Sequence, residues 1–508
     1  MALTPISKIK LESLLDEAKG CTLGDIDKKN KKLFDAPTAK TNKGIAGDVI
    51  EISLLGFEKN SDQLPDMILD GVETELKTTG IIIKKDGRKK NAPMIVVPKE
   101  PISVTSTGVS KTNPFEILEI SDFNKSHIWA KSEHIVFAYY FYDKTKKTSK
   151  KFDMTQYANF IFQDYQYYDM NETEKEMIKN DWKVVYDFVK NVKDNNLDYK
   201  KEYLKIGKLR NNMLCMDTAP SWKKGTPRFR FNKEFSKSIV QQKFSTPEKV
   251  VKASREFYSM ESLNKILIDF TNKYKNQSVQ YILDDLGIVM DKVDKKIIER
   301  ILAKAFGADS SKLRKLNTFQ KTNIIPKTVI LKSTGKPTED MKLDKISFDD
   351  EFGNDKYVFE DSELFSSIID YRFLIPVFKE PRKQEHGKKI PLAEDIFIGF
   401  KIVYFDTDEI IDTAEKVWNI VQDLVVNKKL KIEKVWKKDG SPYLNKNGIQ
   451  LESPNFPKSK DFDIFLRGTG SNSKHKTLVV NNLKMYQQNF WLKRTKVIEI
   501  LNEADYIE

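Results

Sequence analysis

Residues 65–85, PDMILDGVETELKTTGIIIKK, restrict the possible folds more than any other stretch of the chain. Met67-Ile-Leu69 and the run that starts at Val72 are rich in β-formers, and Asp70-Gly71 between them supplies the positive-φ pair of a tight hairpin turn. A sheet therefore has to be built around this segment. Alternate side chains of a strand share a face, so Glu73, Glu75 and Lys77 point one way while Thr74, Leu76 and Thr78 point the other. The charged face runs into the apolar Ile81-Ile-Ile83, where burial makes an unpaired charge costly.

An aspartate from this stretch, Asp66 or Asp70, can converge with Glu75 to give two hard oxygen ligands for Mg²⁺. Lys77 can then orient a water or stabilise charge on a phosphate. This is the chemistry of PD-(D/E)xK nucleases. Spacing alone says little, because Glu17-Ala-Lys19, Asp27-Lys-Lys29 and Asp294-Lys-Lys296 repeat it, and a solvated strand face is the competing reading. Asp70-Gly71 reads as turn chemistry, which favours Asp66 as the ligand. Context adds weight, since the apolar segment 45–57, read as a helix carrying Glu51, precedes the motif.

With 508 residues the chain exceeds what one hydrophobic core usually supports, so two or three domains are expected. Its 39% hydrophobic content is globular. Lys and Arg number 87 against 74 Asp and Glu, and the net charge of +13 suits a nucleic acid partner or simply a lysine-rich proteome. Cys21 and Cys215 stand in unrelated contexts, which argues against a disulfide framework or Cys-based zinc site and fits a reducing cytoplasm. The scattered His127, His134, His386 and His475 leave carboxylates and lysines as the catalytic groups. The opening MALTPISKIKLESLL lacks a charged segment followed by an apolar core, so a soluble, unsecreted protein is expected.

Along the chain, Thr4-Pro5 reads as a helix start, with Ile6, Ile9, Leu14 and Leu15 as its stripe and Gly20 as its stop. Residues 94–97 and 127–142 read as strands, 143–151 as a lysine-rich loop, and 172–192 as a helix with Trp182, Val185 and Phe188 on its apolar side. A helix-start signal at 245–248 opens a connecting helix to about 275. The halves on either side end alike. Residues 181–189 resemble 415–421, EYLKIGKLRNN at 202–212 resembles DIFLRGTGSNS at 463–473, and FRFNKEFSKSIV at 229–240 resembles FWLKRTKVIEIL at 490–501. A duplicated domain is the expectation: 1–245, a linker helix at 246–275, and 276–508.

Lys43-Gly44-Ile-Ala-Gly47-Asp-Val-Ile-Glu51, then PDMILDGVETELKTTG, then Ser126-His127-Ile-Trp-Ala-Lys131, resemble the MutH family of DNA endonucleases. The aromatic FYLK segment typical of that family's end resembles Phe229-Arg-Phe-Asn-Lys233 and, more closely, Phe490-Trp491-Leu492-Lys493. With two such halves the chain is most similar to the larger Sau-type type II restriction endonucleases, which cut at GATC. The resemblance implies a mixed α/β fold of two tandem MutH-like domains, using Mg²⁺ to make double-strand breaks 5′ of the G in GATC. It implies Asp66 and Glu75 as metal ligands, Lys77 as the motif lysine, Glu51 as a helix glutamate near the metal, and Lys131 as a further active-site lysine on a neighbouring strand. Lys43 and Gly44 match a DNA-contacting loop, and Arg210 lies where a DNA-reading loop belongs, although its neighbours match poorly. Arg228, Arg230, Trp491 and Lys493, in the terminal basic and aromatic segments, fall to DNA binding. The family's aspartate-to-glutamate spacing is shorter than Asp66 to Glu75, which keeps Asp70 in competition.

In the second half the counterpart of ELKTTGI is Ile325-Pro326-Lys327-Thr328-Val329-Ile330. An isoleucine replaces the glutamate, a proline enters the strand, Glu299 stands for Glu51, and no aspartate takes the place of Asp66. The resemblance implies that this half is a non-cleaving regulatory domain engaging a second GATC site. The implied partner is double-stranded DNA, with two sites bound at once and a DNA-induced dimer among the arrangements this allows, and no membrane. A mismatch-repair nickase and a non-enzymatic basic DNA-binding protein are the rival readings.

Overall fold

The computed structural model describes residues 3–508 apart from 59–63, 86–93, 111, 144, 146–152, 220–226, 246–250, 290–292, 294, 311, 354, 356, 386–388, 438, 446 and 471. The helix start at 246–248 and most of the lysine-rich loop at 143–151 lie outside the described residues. The chain divides into two units, Met1–Ile266 with Leu302–Asn323, and Leu267–Ile301 with Ile324–Glu508. Both are mixed α/β.

In the first unit a six-stranded sheet runs in the order β1-β2-β3-β6-β7, with β4 also on β3. Its strands are β1 (Thr4–Ile6), β2 (Met67–Leu69), β3 (Val72–Lys85), β4 (Met94–Pro98), β6 (His134–Phe141) and β7 (Ile161–Asp169). The β2–β3 hairpin turns at Asp70 and Gly71, with φ of 47° and 91°, as the sequence requires. β3 is long enough to serve three partners. It pairs antiparallel with β2 through 72–74, parallel with β6 through 75–81, and antiparallel with β4 through 81–85.

Thr4–Ile6 is a strand, not the start of a helix, because it pairs in parallel with β2 some sixty residues later, a contact no local pattern announces. The helix that follows, α1 (Lys8–Ala18), is capped by Ser7 and buries Leu11 and Leu15, while Ile9 is 82% exposed. The expected helix at 45–57 forms as α2 (Ile45–Asp48), continued by a π-helical segment, Val49–Leu54. Val49 and Ile50 pack with Leu76 of β3 in one core.

The expected strand at 127–142 is helix first and strand second. Ser126 accepts from the Trp129 N–H at 3.3 Å and caps α3 (His127–Glu133), which leads directly into β6. After β7 comes α4 (Glu172–Asp194), opened by a capping box between Asn171 and Glu174 and burying Trp182, Val185 and Val189. A 3₁₀ segment, Tyr203–Asn212, follows. A second sheet then forms in the order β5-β9-β8, from β5 (Ser103–Ser106), β8 (Met216–Ala219) and β9 (Arg228–Phe231), and α5 (Lys233–Phe244) ends this stretch.

In the second unit β10 (Ile324–Pro326) and β11 (Val329–Leu331) both pair parallel with β13 (Arg372–Lys379), which pairs antiparallel with β14 (Ile396–Val403). Helix α6 (Glu363–Ile369) precedes β13, and α7 (Asp408–Val426) follows β14. Strands β15 (Ile432–Lys434) and β16 (Glu452–Pro454) form a hairpin arm. Then come β17 (Ile464–Thr469), the short pair β18 (Leu478–Val480) and β19 (Leu483–Met485), and β20 (Gln487–Leu492). The second sheet of this unit runs β12-β20-β17, with β12 at Met341–Lys345, and α8 (Arg494–Glu503) closes the chain.

Two of the three expected internal likenesses agree in secondary structure. Residues 181–189 and 415–421 both lie in long helices, and 229–240 and 490–501 are both strand followed by helix. The pairing of 202–212 with 463–473 does not hold, since the first is 3₁₀ helix and the second mostly strand. Shared glycine and basic residues produced that likeness without shared backbone geometry.

Candidate active site

β3 carries the site. Its side chains alternate as expected, with Leu76 packed into the core and Glu75 and Lys77 on the opposite face. Glu75 is only 1% exposed, and a carboxylate so deeply buried needs cationic partners. Lys77, partly buried, donates to its Oε1. Lys131 donates to Oε1 at 3.3 Å and to Oε2 at 3.1 Å, and is itself buried. Two ammonium groups thus hold one carboxylate.

The register explains how a residue 56 positions away arrives there. Glu75 stands opposite Ile135 in the parallel β3–β6 pairing, and Lys131 occupies the last turn of α3, one helical turn before Ile135. Lys131 therefore reaches Glu75 from a helix end, where the sequence had suggested a strand.

Asp66 enters from the residue before β2, and its Oδ2 accepts the Leu76 N–H at 2.8 Å across the hairpin. Asp70 instead occupies the turn and its Oδ1 accepts the Lys8 N–H, which directs it toward α1. Glu51 lies in the π-helical segment, close enough to Asp66, Lys77 and Glu75 for each to act on its charge. Burial first, and the Asp66 carboxylate second, push Glu51 up to about 7. Burial likewise raises Glu75, against the pull of Lys77 and Lys131. For Lys77 burial works downward, but Glu75 and Asp66 outweigh it and its pKa stands above the ordinary lysine value.

The remaining expected residues sit elsewhere. Lys43 and Gly44 are exposed in the turn before α2. Arg210 is buried in the 3₁₀ segment, only 8% exposed. Arg228 is exposed on β9, and Arg230 pairs with Asp217 at 2.5 Å. In the second unit Trp491 lies beside the Arg467 guanidinium, 5.0 Å from its ring centre, and Lys493 pairs with Asp463 at 3.5 Å.

One organising residue escaped the sequence reading. Buried Asp181 on α4 accepts the backbone N–H groups of Leu214, Cys215 and Met216 at 2.7, 2.9 and 2.8 Å, fixing the entry to β8. Burial raises its carboxyl to about 6 against those donors. An aspartate at an apolar helix position, directly before Trp182, was the available signal.

Residues 55–181 match the family described as the DNA mismatch repair enzyme MutH. This segment is similar to the MutH family. The matched segment holds Asp66, Glu75, Lys77 and Lys131, while Glu51 stands just before it. No curated protein matches the chain. The MutH family indicates a nuclease, a hydrolase acting on DNA, and DNA as its partner. Among the described residues no helix is long and apolar enough to cross a membrane.

Among the described residues no three His, Cys, Asp or Glu side chains come together as a ready metal cage. The donor set still suits Mg²⁺, which keeps most of its water and takes one or two carboxylates rather than a full protein cage. Asp66 and Glu75 are two carboxylates that would fit such a site, and Lys77 and Lys131 balance the charge of Glu75.

Proposed function

We propose that the chain is a type II restriction endonuclease that makes Mg²⁺-dependent double-strand breaks at GATC, 5′ of the G. The observation that carries this reading is the buried Glu75 held by Lys77 and Lys131, with Asp66 and Glu51 beside it, inside or next to the segment similar to the MutH family. The same face would be a poor choice for plain surface charge, because Glu75 is buried among ionic groups that a folding core does not need.

Asp66 and Glu75 would hold the metal. When bound, Mg²⁺ would polarise the scissile phosphate and lower the pKa of a coordinated water. Lys77 places an ammonium group next to the attacked phosphate, where it orients the water and stabilises developing negative charge. Lys131 fixes the rotamer of Glu75 from the end of α3 and keeps a second cation at the site. Glu51 stands ready to take or share a proton with the water network. Lys43, Gly44, Arg228 and Arg230 would contact the DNA.

The second unit would be a MutH-like copy that binds a second GATC site without cutting. What supports the duplication is the order of connections. In each unit a parallel strand pair leads to an antiparallel partner, a long helix, two further strands paired with an earlier one in the order β5-β9-β8 or β12-β20-β17, and a closing helix. The domains would then be 1–245 and 276–508 with a linker between, the segment Leu302–Asn323 clustering with the first unit, and Trp491 and Lys493 would serve DNA binding in the second.

The test is digestion of unmethylated GATC plasmid by the full chain with Mg²⁺ and with EDTA. Linear products ending 5′ of the G, only with Mg²⁺, support the reading. Nicked circles alone would favour a mismatch-repair type of activity, and no cleavage would favour a non-catalytic DNA-binding protein.

A further inference from the structure

The arm between α7 and β17 carries features that neither the core of its unit nor the candidate active site explains. Its backbone is fixed by β15–β16 pairing, by bridges between Trp436 and Pro442 and between Leu444 and Gln450, and by the Val435 N–H to Leu451 carbonyl bond of 2.8 Å. Yet none of the described residues from 431 to 453 is buried. Trp436 is 58% exposed, Ile449 63%, Tyr443 48% and Leu444 47%. Among the described residues this hairpin arm has no core of its own and presents two aromatic rings and two aliphatic chains to solvent, as contact surfaces do.

Its charge selects the partner. Residues 428–454 contain seven lysines, Lys428, Lys429, Lys431, Lys434, Lys437, Lys438 and Lys446, against three acids, Glu433, Asp439 and Glu452. A second copy of a chain with net charge +13 would meet this arm with like charge, whereas a polyanion meets it with opposite charge. Aromatic side chains interleaved with lysines suit nucleic acid, the rings resting on base or sugar faces and the ammonium groups on phosphates.

Position in the fold agrees. The same interval of the first unit, between α4 and β8, holds the 3₁₀ segment Tyr203–Asn212, which is packed through Ile206 and Arg210 and bonded from Thr218 to the Ile206 carbonyl at 2.7 Å. The second unit replaces that packed segment with an extended arm.

We infer that the 428–454 arm grips a DNA duplex bound by the second unit, with Trp436 and Tyr443 as its aromatic contacts and Lys434 and Lys437 on the phosphates. This rests on the proposed DNA-binding role of that unit. The test titrates the full chain, in Ca²⁺ without Mg²⁺, with a labelled GATC duplex. The variants are Trp436→Ala/Tyr443→Ala and Lys434→Glu/Lys437→Glu, and a photo-crosslinking residue is placed at position 436 in a separate protein.

Wild type should bind two duplexes per chain. Each double variant should keep the first and weaken the second at least about tenfold, the lysine pair also lowering the salt slope by about 2. Position 436 should crosslink to DNA. Two duplexes bound with unchanged affinity by both variants, and no crosslink, would overturn the arm's role and leave the second unit's DNA binding intact. One duplex per wild-type chain would overturn that DNA-binding role and the arm with it. Variants that lose only self-association would assign the arm to a second copy of the chain and overturn the inference.

Discussion

β3 of the first unit and the β10–β11 stretch of the second differ in continuity as much as in charge. Both pair in parallel with the next long strand, itself preceded by a seven-residue helix. Glu75 stands opposite Ile135, and Ile325 stands opposite Phe373. β3 runs unbroken from Val72 to Lys85, whereas the second stretch is interrupted at Lys327 and Thr328, where the register sets Thr328 opposite Pro376 of β13, a residue with no N–H to give. The helix before β6 ends in a turn with Lys131, while its counterpart, ELFSSII, has no lysine. Lys327 donates to the Lys342 carbonyl at 2.8 Å. The sheet of the second unit forms with an isoleucine packed against its core where the first unit buries a glutamate. The sheet of the second unit therefore forms without such an ionic cluster, and under the proposed function the cluster of the first unit would serve chemistry rather than folding.

The largest expected effect comes from making the first strand like the second. Glu75→Ala or Lys77→Ala should lower Mg²⁺-dependent cleavage by about a thousandfold or more, with DNA binding in Ca²⁺ changed only a few fold, as gel shifts would measure. Activity near wild type in either variant would remove the distinction between the strands.

The reverse exchange, Ile325→Glu with Ile369→Lys in a Glu75→Ala background, should restore no cleavage, since the strand is interrupted at Lys327 and Thr328 and no aspartate precedes it in the place of Asp66. It should also lower Tm, because a carboxylate enters an apolar contact. Regained cutting would show that the second unit lacks only charge.

Lys131→Met is expected to be milder than loss of Lys77, about a hundredfold in kcat with little change in KM, because Lys77 still holds Glu75. A purely structural lysine would move Tm and leave kcat alone.

The smallest effect is on pH. Glu51 titrates near 7 in the folded protein against 4.5 ordinarily, so folding favours its protonated form. That contribution is full below pH 4.5 and is lost as pH rises through 7. Metal-free wild type should lose Tm across this window, and Glu51→Gln should reduce the loss. An unchanged slope would mean that Glu51 is not held in a costly setting.

The hairpin was legible because Asp70-Gly71 fixes turn geometry locally and the strand period sets the faces of Glu75 and Leu76. β1 was not, because its partner lies far along the chain and its three residues lack a pattern of their own. Lys131 was placed on the wrong element because the apolar run continues from α3 into β6. Only Ser126, an N-cap, marks the helix. The meeting of Lys131 with Glu75 depends on parallel register, which no local residue pattern specifies. The arm's lysines were visible in the sequence, but its lack of buried residues was not.

The most direct measurement compares wild type with Glu75→Ala on a duplex containing one unmethylated GATC and on the same duplex with that site scrambled, in Mg²⁺, with products resolved by strand. Cleavage of both strands 5′ of the G by wild type alone, and only on the GATC duplex, is the predicted result. Equal cleavage by Glu75→Ala, or none by wild type, would contradict the assignment of β3 as the catalytic strand.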